Sequence, residues 1–166
     1  MKKILCSILV LVAVLFFVGM PNTATAATIS HEGKNIQVER FEDGSTLEII
    51  TEQNQVRNTL LAALGKNAGQ ITGTKTINYK ASNGITEWTV KVTASFVNNN
   101  GTITCSNITT RQSIYDSAWS LSNIRKGSSG NTAWASVTGT ERRAGIIVNR
   151  ITKEVTITCS SNGMIY

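Results

Sequence analysis

A strict two-residue alternation of apolar and polar side chains from Trp88 to Phe96 constrains the fold of this chain more than any other feature. Successive side chains of a β-strand point to opposite faces, so the pattern places one apolar row and one polar row on either side of the backbone. Ser82-Asn83-Gly84 precedes the run and Asn98–Gly101 follows it, and both are typical hairpin turns. The sequence therefore predicts a half-buried strand over residues 85–97 with an antiparallel neighbour on each side.

Similar alternation recurs along the rest of the chain, in which Pro21 is the single proline. The predicted strands span residues 76–81, 85–97, 102–108, 118–124, 132–141 and 146–159. Lys126–Gly130 is expected to form a flexible basic turn, and Lys153 breaks the apolar parity of the last strand, which indicates a bulge near residues 149–153. Strands with one apolar face each must pack face to face, so residues 71–166 are predicted to form an all-β antiparallel sandwich of about six strands.

Residues 27–70 form an N-terminal extension of a different kind. Its Asp43-Gly44 turn predicts a β-hairpin over residues 35–51. Residues 54–64 carry an apolar stripe at helical spacing, which predicts a short helix. The stripe consists of Val56, Leu60, Leu61 and Leu64. Two interpretations stay open: the helix packs against one end of the sandwich, or it is an amphipathic segment that touches membranes.

The first 26 residues have the pattern of a signal peptide. Lys2-Lys3 is followed by an apolar run over residues 4–18 and by Ala24-Thr25-Ala26, so cleavage is expected after Ala26. A transmembrane anchor is the alternative, but the run is shorter than the roughly 18–20 residues that span a bilayer. We therefore predict a secreted, extracellular protein without a stable membrane anchor.

The charge distribution favours an anionic partner. The whole chain carries a net charge of +6. Residues 71–166 hold ten basic and four acidic side chains, whereas residues 27–70 hold four basic and six acidic ones. An anionic cell-envelope polymer or a protein receptor fits the basic part, and a role in solubility alone is the alternative. Nucleic acid is not expected, because the basic residues are sparse and the location is extracellular.

A candidate ligand-binding set follows from this charge. Cations near strand ends, together with an aromatic side chain on the face opposite the small core residues, are a common way of holding sugars or anionic polymers. The set consists of Trp134, Arg142, Arg143, Arg125 and Lys126, with Arg150 nearby. Solvated turn charges and a tryptophan that covers the helix of the extension are the structural alternative.

Cys105 and Cys159 both lie on the inward parity of their strands, which predicts a disulfide between strands that would stabilise the fold by about 4 kcal/mol. Two reduced, buried thiols are the alternative. With Trp119 between them, the Cys-Trp-Cys order resembles the immunoglobulin fold and implies an Ig-like sandwich, although Ile157 stands where that fold has a tyrosine.

Several short runs resemble a group of uncharacterised small secreted β-rich proteins of Gram-positive, clostridial-type bacteria. The runs are Thr74-Lys75-Thr76, Trp88–Thr93, Thr104-Cys105, Ser117-Ala118-Trp119 and Val155–Cys159. The resemblance spans about two thirds of the chain after residue 26. It implies secretion, a strand framework and location at the cell exterior, and it implies no activity, cofactor or site residue.

Catalytic constellations are scarce in the sequence. His31 is the single histidine, so a catalytic triad or a histidine metal site is not expected, and no cofactor is predicted. The four carboxylates after residue 70 are Glu87, Asp116, Glu141 and Glu154. A hydrolase would need two of them facing each other, for which Glu87 and Asp116 are the candidates.

The sequence therefore favours a secreted, non-enzymatic binding or structural module of the bacterial cell exterior, with an anionic cell-wall polymer as the expected ligand. The alternative is a secreted bacteriocin-like or toxin-like effector that acts on membranes or neighbouring cells. The two differ in outcome: a binding module associates with walls without killing, whereas an effector inhibits neighbouring cells or permeabilises liposomes.

Overall fold

The computed structural model describes residues 25–31, 34–54 and 70–166, and this part of the chain is all β. The nine strands are β1 (Thr25–His31), β2 (Lys34–Arg40), β3 (Thr46–Asn54), β4 (Gln70–Lys80), β5 (Thr86–Asn99), β6 (Thr102–Ile114), β7 (Trp119–Ser129), β8 (Thr132–Arg143) and β9 (Ile146–Thr158). The predicted helix over residues 54–64 lies outside the described residues except for Asn54, which ends β3. The predicted signal peptide also lies outside them, apart from Thr25 and Ala26, which begin β1. The described ranges hold no helix long and apolar enough to cross a membrane.

The strands form two antiparallel sheets. Sheet A contains β1 to β6 and sheet B contains β7 to β9, and in both sheets the spatial order is the order along the chain. Immunoglobulin folds instead place non-consecutive strands side by side in a Greek key. The all-β prediction is thus confirmed, whereas the Ig-like arrangement is not, because hairpin-connected strands simply follow one another across each sheet.

Turn residues define the hairpins. In the β4–β5 turn Gly84 has φ +82°, and in the β5–β6 turn Asn100 and Gly101 have φ +52° and +87°. These left-handed conformations suit Gly and Asn, so both predicted turns are confirmed.

The predicted basic turn over Lys126–Gly130 is wrong. β7 continues to Ser129 because residues 126–129 pair with residues 132–135 of β8, and the turn is reduced to Gly130-Asn131. The predicted bulge near residues 149–153 lies slightly earlier, at Val148, where the β8–β9 register shifts between Glu141 and Arg142.

Both sheets contribute to one hydrophobic core. Aromatic rings lie at its centre: Tyr79 stacks on Trp88 with ring centroids 5.6 Å apart and meets Trp119 at 4.7 Å. A Cβ at Gly139 of sheet B would lie 3.1 Å from the Trp88 ring, so the sheets are in close contact there. Leu47 of β3 is fully buried and pairs with Tyr79, so the extension is continuous with the later strands in both sheet and core.

The cysteines occupy the predicted faces but are two separate thiols in this structure. Cys159 is fully buried and Cys105 half-buried, and both pack in the core cluster. The Cys105 Sγ donates to the carbonyl of Asn107 (3.6 Å) and the Cys159 Sγ to that of Ser160 (3.7 Å), so each thiol is directed to its own segment. Burial raises the pKa of the Cys159 thiol. The disulfide is therefore absent from this arrangement, although the inward parity of both residues is confirmed.

The strand directions create two distinct ends. At one, here called the four-turn end, lie the turns over residues 41–45, 81–85, 115–118 and 144–145. The opposite end carries turns 100–101 and 130–131 together with the C-terminal residues 159–166. Loops at each end come from both sheets, so residues far apart in the sequence meet there.

Candidate functional site

Trp134 lies on the outer face of sheet B, as its parity predicts. It is half-buried and pairs directly with Gly127 of β7. A Cβ at Gly127 would lie 2.7 Å from Trp134 Cζ2 and 2.8 Å from Cε2, so the indole rests on the Gly127 backbone. The absence of a side chain at residue 127 thus allows the ring to lie over the neighbouring strand.

Hydroxyl side chains surround this indole on the outer face. The outward positions of the three strands are occupied mainly by Ser120, Ser122, Ser129, Thr132, Ser136, Thr138, Thr140, Thr152, Thr156 and Thr158, of which Thr138 and Thr140 are buried. The face also carries one exposed carboxylate, Glu154, which pairs with Ser136 in the row next to Trp134. Cross-strand hydroxyl contacts join Thr132 to Thr158 at 3.3 Å and Thr138 to Thr152 at 3.0 Å. Threonine suits a β-surface, so the same residues that favour strands also provide an ordered array of donors and acceptors.

Arg125 and Arg150 are the cations of this face. Arg125 pairs with Ser136 in the row next to Trp134, and Arg150 pairs with Thr140 farther along. Both guanidinium groups are exposed, and neither forms a hydrogen bond or ion pair with any residue in the described part of the chain. They are therefore available to an anionic ligand.

Lys126 points to the other side of sheet B. Its paired residue, Ala135, is buried in the core, and the Lys126 Nζ donates to the Ile108 carbonyl at 2.8 Å. This contact joins β7 to β6 across the two sheets. Lys126 thus forms a contact between the two sheets and does not lie on the Trp134 face.

Arg142 and Arg143 lie at the four-turn end. Arg142 lies eight positions after Trp134 along the extended strand β8, which corresponds to roughly 26 Å. Arg143 Nε donates to Glu141 (2.7 Å) and its NH2 group to Asp116 (3.2 Å), whereas the Arg142 guanidinium donates, among the described residues, only to the Gly145 carbonyl at 3.5 Å. The structure therefore brings Trp134 and Arg125 together and leaves the other three predicted residues elsewhere.

Three of the four carboxylates after residue 70 influence one another at the four-turn end. Burial, followed by the charges of Asp116 and Glu141, raises the pKa of Glu87. Asp116 Oδ1 also accepts from the Ala118 backbone at 2.8 Å, and Arg143 binds both Asp116 and Glu141. Glu87 and Asp116, the candidate hydrolytic pair, thus lie in the same region. Asp116 is already bound by Arg143 and by the backbone, and these contacts hold the β6–β7 loop.

A cavity of about 240 Å³ lies near this end between the β2–β3 turn and the start of β9. Its lining residues are Phe41, Glu42, Asp43, Val148, Asn149 and Ile151. Asn149 Nδ2 donates to the Tyr79 hydroxyl at 3.2 Å, and burial, with the nearby charges of Asp43 and Glu87, raises the pKa of Tyr79. This cavity is not predictable from local sequence patterns, because its lining comes from two distant segments; the one local signal is the pair of carboxylates in the Glu42-Asp43 turn.

No group of three or more metal-ligating side chains occurs within residues 25–31, 34–54 and 70–166. Comparison with protein-family models, curated proteins and solved structures finds no match. The resemblance to secreted proteins of Gram-positive bacteria therefore stays a hypothesis.

Proposed function

We propose that this chain is an exported, non-enzymatic binding module of the bacterial cell exterior, and that it takes a linear anionic polymer of the envelope on the outer face of sheet B. The observation that carries the proposal is the half-buried Trp134 indole resting on Gly127, with the unpaired Arg125 in the adjacent row. Export itself rests on the sequence pattern of residues 1–26.

The geometry of the face suits a repeating polymer. Trp134 offers an aromatic surface on which a sugar ring can stack, and polar hydroxyls around it can hydrogen-bond to a polyol. Arg125 precedes Gly127 by two residues along β7, or roughly 7 Å, so a stacked ring and a neighbouring anionic group can be contacted together.

Binding should depend on charge as well as on the indole. Purified protein is sedimented with isolated Gram-positive cell walls at about 0.01 M and 1 M salt, where the Debye length falls from about 30 to 3 Å. We expect binding at low salt and release at high salt. Trp134→Ala and Arg125→Glu should each weaken binding about tenfold, because loss of one good contact is worth about 1–2 kcal/mol and about 1.4 kcal/mol corresponds to a factor of ten.

Arg111→Glu is the matched control, because Arg111 is also exposed and its guanidinium is unpaired in the described structure, but it lies on the outer face of sheet A. It changes the net charge by the same amount as Arg125→Glu. If both charge variants lose binding equally, binding depends on the net charge of the protein alone, and a specific site on sheet B is rejected. Wild type that stays in the supernatant at low salt would reject polymer binding itself.

A membrane-active effector is the second candidate, and exposed apolar residues at the four-turn end favour it. Dye release from liposomes separates the two functions. A binding module leaves liposomes intact at concentrations that saturate cell walls, whereas an effector releases the dye.

A further inference from the structure

The β8–β9 hairpin exposes seven consecutive residues, Arg142–Val148. Three of them are large and aliphatic: Ile146, Ile147 and Val148 are 68%, 40% and 55% exposed. Single exposed apolar residues are ordinary, but three in succession at a turn are typical of an interaction site. Residues 142–148 are called the hairpin tip below.

Both faces of the hairpin tip carry the same combination of side chains. Arg142 pairs with Ile147 and Arg143 pairs with Ile146, and paired residues of an antiparallel ladder point to the same side. Each face therefore has one arginine and one isoleucine, while Val148 occupies the bulge. Ala144 and Gly145 have φ +48° and +80°, so the chain reverses tightly between the two arginines and the aliphatic run.

Other apolar residues are exposed at the same end of the molecule. Ile85 in the β4–β5 turn is 64% exposed, and Ile114 and Tyr115 at the end of β6 are 43% and 65% exposed. They belong to separate turns around the four-turn end. The apolar surface is thus a group of projecting side chains and not a closed groove.

We propose that the hairpin tip docks this protein on the surface of a lipid bilayer. A fluid partner can surround a projection that is apolar on both faces, whereas a folded protein would need a matching cavity. Arginine beside aliphatic residues can bind lipid phosphate while the isoleucines enter the boundary between headgroups and acyl chains. A tyrosine such as Tyr115 is favoured in the headgroup region of a membrane. Among the described residues the Arg142 guanidinium has only the Gly145 carbonyl as a partner, so its remaining donors are available to phosphate.

This site is independent of the polymer face. Roughly 26 Å of strand β8 separates Arg142 from Trp134. The two surfaces can therefore be occupied together, with the hairpin tip on a membrane and sheet B on an envelope polymer. Loss of one should leave the other intact.

Flotation of the full chain with vesicles tests the proposal. Vesicles of phosphatidylcholine alone and of phosphatidylcholine with 30% phosphatidylglycerol are the probes. We expect wild type to float with both and more with the anionic vesicles. Ile146→Ser should lower the partition coefficient about tenfold, and Ile146→Ser with Ile147→Ser about a hundredfold, because burial of each isoleucine is worth about 1.5 kcal/mol.

Controls separate docking from other effects. Met164→Ser removes an exposed apolar residue at the opposite end and should float like wild type, and so should Trp134→Ala. Far-ultraviolet circular dichroism and the melting temperature establish that each variant folds, and the single Ile146→Ser serves if the double variant does not. Failure of wild type to float, or equal flotation of the isoleucine variants, overturns the proposal. Wild-type dimers that dissociate in Ile146→Ser, without flotation, would assign the hairpin tip to a second copy.

Discussion

At the scale of single residues, Gly127 determines where the Trp134 indole lies. An added Cβ would come within 2.7 Å of the indole, so the ring would have to shift. Glycine is otherwise unfavourable inside a strand, so its presence in β7 has a packing reason. The ligand-binding proposal depends on this pair.

A double-mutant cycle measures the contact. Gly127→Ala should lower the free energy of unfolding by about 1–3 kcal/mol, because the side chains overlap. In a Trp134→Ala background the same change should be neutral or stabilising, because alanine suits a strand better than glycine. The measurement is urea unfolding of the four proteins. Equal effects of Gly127→Ala in both backgrounds would show that the two residues do not interact.

Glu87 makes stability depend on pH. Its folded-state pKa is raised, so its neutral form is favoured by folding, and its contribution to stability is present below the ordinary value of 4.5 and lost as pH rises through the raised value. Glu87→Gln should therefore raise the melting temperature at pH 7, and the difference from wild type should disappear towards pH 4. The comparison is made by thermal unfolding across this range. A variant less stable than wild type at pH 7 would contradict the assignment.

At the scale of elements, Lys153 fastens β9 to β2. It lies on the inward row of β9 opposite Val137 and forms an ion pair with Glu39 of β2. In the sequence, Lys153 breaks the apolar parity of the last strand. The structure explains why a charged residue stands in this apolar row: Lys153 lies where Glu39 of the extension can form an ion pair with it.

Charge exchange tests this fastening. Lys153→Glu should destabilise the fold by about 1 kcal/mol, since it removes a partly exposed ion pair and adds repulsion with Glu39. Adding Glu39→Lys should restore most of the loss. The free energy of unfolding is measured for both single variants and for the exchanged pair. If the exchanged pair loses as much free energy of unfolding as the two single variants lose together, the ion pair does not join the strands.

Strand positions were largely predictable because alternation at a period of two is a local signal. Residues 85–97 were predicted and β5 covers 86–99, whereas β4 extends beyond the predicted residues 76–81. The first part of β4, Gln70–Lys75, is polar at alternate positions and includes Gly73. It forms a strand because it pairs with β3 and β5 on either side. Such pairing is not visible in one segment alone.

The candidate site was predicted less well because a bulge changes parity. The β7–β8 register shifts between Ser122 and Arg125, where Asn123 has φ +51°. Simple alternation from Trp119 would put Lys126 on the outer face, but the extra residue turns it inward and brings Arg125 out beside Trp134. Arg142 and Arg143 lie far from the Trp134 face because β8 is long. The length of a strand cannot be read from the sequences of the turns beside it.

At the scale of the whole molecule, the extension and the later strands form one structure. Leu47 and Ile49 of β3 are buried in the core shared by both sheets, and they pair with Tyr79 and Ile77. The opposite charges of the two segments are consistent with this continuity, since Glu48 binds Lys80 and Glu39 binds Lys153. The two surfaces proposed for binding, the outer face of sheet B and the four-turn end, lie outside this shared core.

Nuclear magnetic resonance of the three indole N–H groups tests the polymer-binding proposal most directly. Trp88 and Trp119 are buried in the core, and Trp134 alone lies on the proposed surface. On titration with soluble anionic cell-wall polymer, the account predicts a saturable shift of the Trp134 indole and of the Arg125 and Ser136 amides, with the other two indoles unchanged. An unchanged Trp134 indole at polymer concentrations that saturate the protein, or shifts confined to another surface, would contradict it.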